Sequence, residues 1–182
     1  MQVLGVGPVD LLLIHWPNPA VPLAETIGAL CQARRDGLAR HIGVSNFSAS
    51  RLADAVALAD EPLVANQCEY HPRLDQSALI AACRRHGVAF VGYAPIGSGN
   101  LLDDPLLATI AARHDRTPAQ IVLRWHVQQG TVAIPRSSNP ARVAQNIDLA
   151  GFTLTDADMA AISGLARPDG RQFSPAWVES WD

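Results

Sequence analysis

The chain has 182 residues, 48% of them hydrophobic, with a formal net charge of -3. That length suffices for one well-buried core, and the balanced charge with no basic patch argues against nucleic acid as a partner. No apolar run reaches membrane-spanning length and no targeting pattern opens the chain, so a cytoplasmic protein without a membrane partner is expected.

Cys31, Cys68 and Cys83 are too few and too scattered for a disulfide framework or a zinc site. They read as small apolar residues of a reducing compartment, and no metal is expected. All 14 basic residues are arginine. Any mechanism that needs a lysine from this chain is therefore excluded.

In chain order, residues 1–8 end in Leu4-Gly5-Val6-Gly7-Pro8, which reads as the tail of a helix stopped at glycine. Asp10-Leu11-Leu12-Leu13-Ile14-His15-Trp16-Pro17 follows. Its unbroken aliphatic run predicts a strand buried on both faces, ending on an ionisable His15. Residues 23–36 place Leu23, Ile27, Leu30 and Cys31 at helical spacing, with Gly37 as the stop. A second strand over 40–44 ends in Ser45-Asn46-Phe47, and Ser48 caps a helix whose Leu52, Val56 and Ala59 share a face. A third strand over 63–65 ends in Asn66-Gln67-Cys68-Glu69-Tyr70-His71-Pro72. Asp75 is placed to cap a helix that turns Leu79 and Cys83 inward and stops at Gly87.

The fourth strand, 88–91, closes on Gly92-Tyr93-Ala94-Pro95-Ile96-Gly97-Ser98-Gly99. A short helix near 106–114 precedes a longer one opened by Thr117-Pro118. The fifth strand, 131–134, ends in Pro135-Arg136-Ser137-Ser138. Asn139-Pro140 opens another helix, and Thr155 with Asp158 forms a capping box for the last. Residues 167–182 are irregular and contain Trp177 and Trp181. Strands alternating with helices across short linkers imply a parallel sheet with helices outside, in one domain over 1–182. Every strand ends in polar or aromatic residues, the arrangement by which a βα barrel collects functional groups on one rim.

The rim chemistry points to an anionic nucleotide. Arg136 and two serines lead into a helix N-terminus, where free N–H groups and the dipole favour an anion. Arg142 sits in that helix's first turn, able to reach the same anion bidentately. Gln145 and Asn146, one turn on, suit a flat polar base. Gly97-Ser98-Gly99 lets the backbone approach a pyrophosphate. Ser45, Asn46 and Gln67 offer neutral donors and acceptors to a carboxamide, and Tyr93 offers a face for stacking. Together these groups suit a nicotinamide dinucleotide.

Five motifs in order carry a family resemblance over almost the full chain. They are Val9-Asp10-Leu11-Leu12-Leu13-Ile14-His15-Trp16-Pro17, Ile42-Gly43-Val44-Ser45-Asn46-Phe47, Asn66-Gln67-Cys68-Glu69-Tyr70-His71-Pro72, Gly92 to Gly99, and Ile134-Pro135-Arg136-Ser137 with Arg142, Gln145 and Asn146. The chain resembles the aldo-keto reductases. The resemblance implies an α/β fold, a (β/α)8 TIM barrel, and NADPH-dependent reduction of small aldehydes and ketones. It implies that Ser45, Asn46 and Gln67 hold the nicotinamide amide, that Tyr93 stacks on its ring, and that Pro95, Gly97 and Ser98 belong to the cofactor cradle. Arg136, Ser137, Arg142, Gln145 and Asn146 would hold the 2′-phosphate and adenine. His15 matches the catalytic histidine that orients the substrate carbonyl. Trp16 and Trp177 are the expected substrate contacts, in compact loops like those of the bacterial branch.

Two departures qualify that picture. Arg136 stands where the family usually has lysine, keeping the charge but changing its geometry, with NADPH still favoured over NADH. The family's general-acid tyrosine, its lysine and its aspartate come from strands before the one bearing His15. Tyr70 and Tyr93 are the only tyrosines, and both lie in other motifs. A whole barrel takes roughly 250 residues. The expectation is an incomplete barrel of about five parallel strands with outer helices, lacking the first three. It would be inactive alone, or serve as a non-catalytic NADP(H)-binding or assembly fragment. Open edges at the first and last strands would invite self-association or complementation. An aldolase-type barrel would need a Schiff-base lysine. A metal-dependent hydrolase is disfavoured because no carboxylate cluster is evident around His15 or His71.

Overall fold

The computed structural model describes residues 5–98, 101–178 and 181. The elements are β1 (Val9–Ile14), α1 (Leu23–Arg35), β2 (Ala39–Ser45), α2 (Ala49–Leu58), β3 (Leu63–Glu69) and α3 (Ser77–Arg85). They continue with β4 (Ala89–Tyr93), α4 (Pro105–His114), α5 (Pro118–Gln128), β5 (Val132–Ala133), α6 (Pro140–Ile147) and α7 (Asp156–Ser163). The strands form one five-stranded sheet in chain order, β1-β2-β3-β4-β5, with parallel pairing. Residues 5–8 form a turn, and the remainder of the helix tail expected over 1–8 lies outside the described residues.

The chain divides into two compact units. The first comprises Met1–Cys68, Ser77–Phe90 and Ala176–Asp182; the second comprises Glu69–Gln76 and Val91–Pro175. In the first, β1 pairs with β2 and β2 with β3. Its core includes Ile27, Cys31, Ile42, Val44, Phe47 and Leu52, all fully buried. In the second, β4 pairs with β5 through Val91 and Gly92, and Leu107, Ile110, Ile121, Leu123 and Trp125 make the core.

Local chemistry accounts for most element ends. Ser48 accepts from the Arg51 N–H at the start of α2, and Thr117 forms a capping box with Gln120 at α5. Asn139 accepts from the N–H groups of Ala141 and Arg142 at α6. Helices α1 and α3 are followed by Gly37 (φ 72°) and Gly87 (φ 67°), left-handed positions that favour glycine. The inward face of α2 is Leu52 and Ala55; Val56 and Ala59 are only half-buried.

Two larger departures bear on the site. Strand β3 runs four residues past its expected end, to Glu69. The pairing advances two residues from Ile42 to Val44 but three from Leu63 to Asn66, so β3 carries a bulge opposite Gly43. The apolar run of β1 is a strand but not a buried one. Leu11 is 41% and Leu12 36% exposed, because β1 is an edge strand with only β2 beside it in the sheet.

Asp158 shows how a depressed carboxylate ties two helices of the second unit. It is buried and accepts from His114 Nε2 at 3.0 Å, from Arg113, and from the Thr155 N–H and hydroxyl. Burial would raise its pKa, but the hydrogen bonds from His114, Thr155 and Arg113 outweigh it and hold the carboxyl well below the usual range. A depressed folded pKa contributes stability above the unfolded value and loses it as pH falls through the folded one. Stability should therefore decline from about pH 4 downward. Replacement Asp158→Asn should cost about 2 kcal/mol at neutral pH and flatten the acid limb. Denaturant midpoints across a pH series check both.

Candidate cofactor and substrate site

In the first unit, β1 and β2 deliver their polar residues at their carboxyl ends. His15 follows β1 and is exposed, while Ser45 ends β2. Asn46 then takes a left-handed conformation (φ 62°), which asparagine tolerates better than most residues. The Asn46 N–H donates to the Gln67 carbonyl at 2.9 Å, and Ser45 Oγ donates to the same carbonyl at 2.6 Å. Asn46 Nδ2 donates to the His15 carbonyl at 2.9 Å and to Ser45 Oγ at 3.1 Å. The ends of β1, β2 and β3 are thus laced together through backbone carbonyls, leaving the His15 imidazole at the surface. The structure brings His15, Ser45, Asn46 and Gln67 into one cluster. Beside it, Trp16 meets Trp177 edge to face with centroids 5.3 Å apart. These two indoles and Pro17, Asn18 and Pro19 line an apolar cleft of about 330 Å³.

In the second unit, Tyr93 ends β4, and Ala94 is again left-handed (φ 49°). Backbone held in that region costs on the order of 1–3 kcal/mol and gathers at functional sites. The Gly97 N–H donates to the Ala94 carbonyl at 2.8 Å, closing a tight turn. Ser98 follows, and Gly99 lies outside the described residues. After β5, Arg136, Ser137, Arg142, Gln145 and Asn146 line one cleft of about 400 Å³, opposite Leu102 and Asp103. Arg136 and Arg142 make no ion pair among the described residues. The cleft therefore holds two guanidinium groups against one carboxylate, that of Asp103, beside the N-terminus of α6.

Sequence reasoning missed a buried network in this unit. Glu69 and His71 are both fully buried, and His71 Nε2 donates to Glu69 Oε1 at 3.0 Å. His71 thus has one carboxylate partner, Glu69, which is a pair and not a cluster. The signal was present: residues two apart in extended chain point to one side. Glu69 also accepts from the N–H groups of Gln172 at 2.7 Å and Phe173 at 2.9 Å. Burial opposes ionisation, yet the bonds from His71, Phe173 and Gln172 hold its carboxyl below the usual range. His126 donates from Nε2 to the Pro95 carbonyl at 3.2 Å, and its ring packs edge-on against Tyr70. Burial pushes His126 down to about 4, against the pull of the Pro95 carbonyl. It is neutral at physiological pH and buttresses the turn after Tyr93. Asp103, which lines the Arg136 cleft, was also missed.

Similarity to known proteins agrees with this architecture. Residues 1–167 match the model of the aldo/keto reductase family. An aldo-keto reductase of Mycolicibacterium smegmatis is 43% identical over 176 residues, covering 96% of this chain and 62% of that protein. The crystal structure of a candidate 2,5-diketo-D-gluconic acid reductase B superposes with TM-score 0.93 at 43% identity, over 96% of this chain and 63% of that one. A Bombyx mori aldo-keto reductase in complex with NADP superposes with TM-score 0.86 at 35% identity, over 94% and 61%. The chain spans about three-fifths of the length of the curated relatives it matches. Its five parallel strands with their helices are an α/β fold, part of a (β/α)8 barrel. Motif order, strand-end chemistry and these similarities converge: the chain belongs to the aldo/keto reductase family.

Proposed function

We propose that this chain carries the NADP(H)-binding and carbonyl-orienting portion of an aldo-keto reductase that reduces small aldehydes and ketones to alcohols. The observation that carries the reading is the Arg136–Arg142 cleft. Two unpaired guanidinium groups beside a helix N-terminus suit a phosphate dianion, and Gln145 and Asn146 suit an adenine edge. The same pair favours NADPH over NADH, because only the former brings a 2′-phosphate to neutralise them. Elsewhere in the second unit, Tyr93 offers its ring to a planar group, and Pro95, Gly97 and Ser98 shape a turn close enough for a pyrophosphate. In the first unit, Ser45, Asn46 and Gln67 are assigned to the carboxamide. His15 presents an imidazole to the carbonyl oxygen, and Trp16 and Trp177 wall an apolar substrate. When bound, the reduced nicotinamide supplies hydride.

A proton donor is still required. Tyr70 does not suit that role: its ring is buried and its hydroxyl donates to Gln129 Oε1 at 2.8 Å. Tyr93 is the proposed stacking face, and no lysine exists to lower a phenol's pKa. The chain by itself is therefore proposed to bind the cofactor without turning over. Mixed with NADPH and a reactive aldehyde, it should leave the nicotinamide absorbance at the uncatalysed rate. Turnover approaching the typical enzyme value of about 10 per second would contradict this.

A second reading, assembly, is favoured by the edge strands. Leu11 and Leu12 on β1 and Val132 and Ile134 at β5 are exposed, and apolar edges recruit strands. Sedimentation showing self-association would support it; a monodisperse monomer would count against it.

A further inference from the structure

Glu69 lies among no residues assigned above to cofactor or substrate, yet it is among the most constrained side chains of the second unit. Its carboxylate is fully buried and accepts three hydrogen bonds, from His71 Nε2 and from the consecutive N–H groups of Gln172 and Phe173. His71 Nδ1 has no partner among the described residues, so the bond to Glu69 orients that ring. The Glu69 carbonyl is itself held by Gln76 Nε2 at 2.9 Å. About a hundred residues separate Glu69 from the segment it grips, so the contact is not a local turn.

What the gripped segment touches gives the arrangement a purpose. The Phe173 ring meets Tyr93 edge to face, with centroids 5.6 Å apart. Gln172 Oε1 accepts from Ser98 Oγ at 2.6 Å. Next to Glu69, the Tyr70 N–H donates to the Tyr93 carbonyl at 3.1 Å. Thus Glu69 and Tyr70 hold Tyr93 from two directions, one through the backbone and one through the irregular tail. A buried carboxylate with N–H partners is costly unless all of them stay in place. It acts as an anchor that fixes Gln172 and Phe173 in one position.

We propose that Glu69 is a positioning residue for the dinucleotide. By pinning Gln172 and Phe173 against Ser98 and Tyr93, it sets the stacking platform at the end of β4 without touching the Arg136 cleft. The proposal rests on the cofactor reading above. It predicts that binding energy from the nicotinamide end depends on Glu69, whereas binding of the adenosine phosphate end does not.

The test compares two probes by isothermal titration of the full chain: NADPH, and adenosine 2′,5′-bisphosphate, which lacks the nicotinamide end. In the unaltered chain NADPH should bind more tightly. In Glu69→Gln that advantage should fall by about tenfold, with the bisphosphate Kd unchanged. Phe173→Ala removes a half-exposed ring and leaves the buried carboxylate intact, so it keeps the test available if Glu69→Gln fails to fold. It should reproduce the selective loss. If either variant weakens both probes equally, or neither, the proposal is overturned while the cofactor reading stands. If the unaltered chain binds neither probe, the cofactor reading falls and takes the proposal with it.

Discussion

Replacing Arg136 and Arg142 together with alanine should weaken binding of adenosine 2′,5′-bisphosphate about a hundredfold while leaving the fold intact. Both side chains line one cleft, and neither is paired with a carboxylate among the described residues. A charge-assisted hydrogen bond contributes about 1.5–3 kcal/mol. Both arginines are exposed, so the lower end applies, about 1.5 kcal/mol each, and 1.4 kcal/mol is tenfold in affinity. Affinity of the unaltered chain should fall with added salt, and the double variant should lose most of that salt dependence. Thermal midpoints should barely move, since neither residue supports the core. Titration calorimetry at two ionic strengths, with melting curves as a control, checks each part.

Gly43→Ala should destabilise the first unit by about 3 kcal/mol or more, lowering its melting temperature by roughly 10 °C. A Cβ at Gly43 would lie 2.5 Å from the Ala65 carbonyl oxygen and 2.9 Å from Leu13 Cδ2. The Leu13 methyl can swing aside, but the carbonyl contact is not easily relieved. The oxygen belongs to the bulge of β3, and β2 is held by ladders on both sides. The same position explains the site. By passing close to Gly43, the bulge puts Asn66 opposite Val44 and Gln67 opposite Ser45. There the Gln67 carbonyl receives both the Ser45 hydroxyl and the Asn46 N–H. Forcing β2 and β3 apart should displace Gln67, so any folded fraction should show changed amide signals for Ser45, Asn46 and Gln67. Circular dichroism melts and amide spectra report the two effects separately.

Features written in neighbouring residues were legible in the sequence. Thr117-Pro118 with Gln120, Asn139-Pro140, and Thr155 with Asp158 are caps whose donors and acceptors lie within one turn, and each sits where the pattern places it. The five strands and their parallel pairing followed from alternation. The clustering of Arg136, Ser137, Arg142, Gln145 and Asn146 followed from one helix start. Features that depend on a distant neighbour were not legible. The polar run Asn66-Gln67-Cys68-Glu69 reads as a loop, and only its place in the sheet, with Asn66 and Gln67 paired to β2, makes it strand. The aliphatic run of β1 specifies extended chain, but burial depends on what covers it, and Leu11 and Leu12 are exposed. Glu69 grips Gln172 and Phe173 from across about a hundred residues. No local pattern in either segment announces the other.

The Arg136–Arg142 cleft is the proposed seat of a 2′-phosphorylated dinucleotide. Calorimetric titration of the unaltered full chain with NADPH tests it most directly, with NADH as the comparison. Saturable binding of one NADPH per chain, weakened by salt and clearly tighter than NADH, is the expected result. No heat of binding with NADPH, or equal affinity for the two dinucleotides, would contradict it.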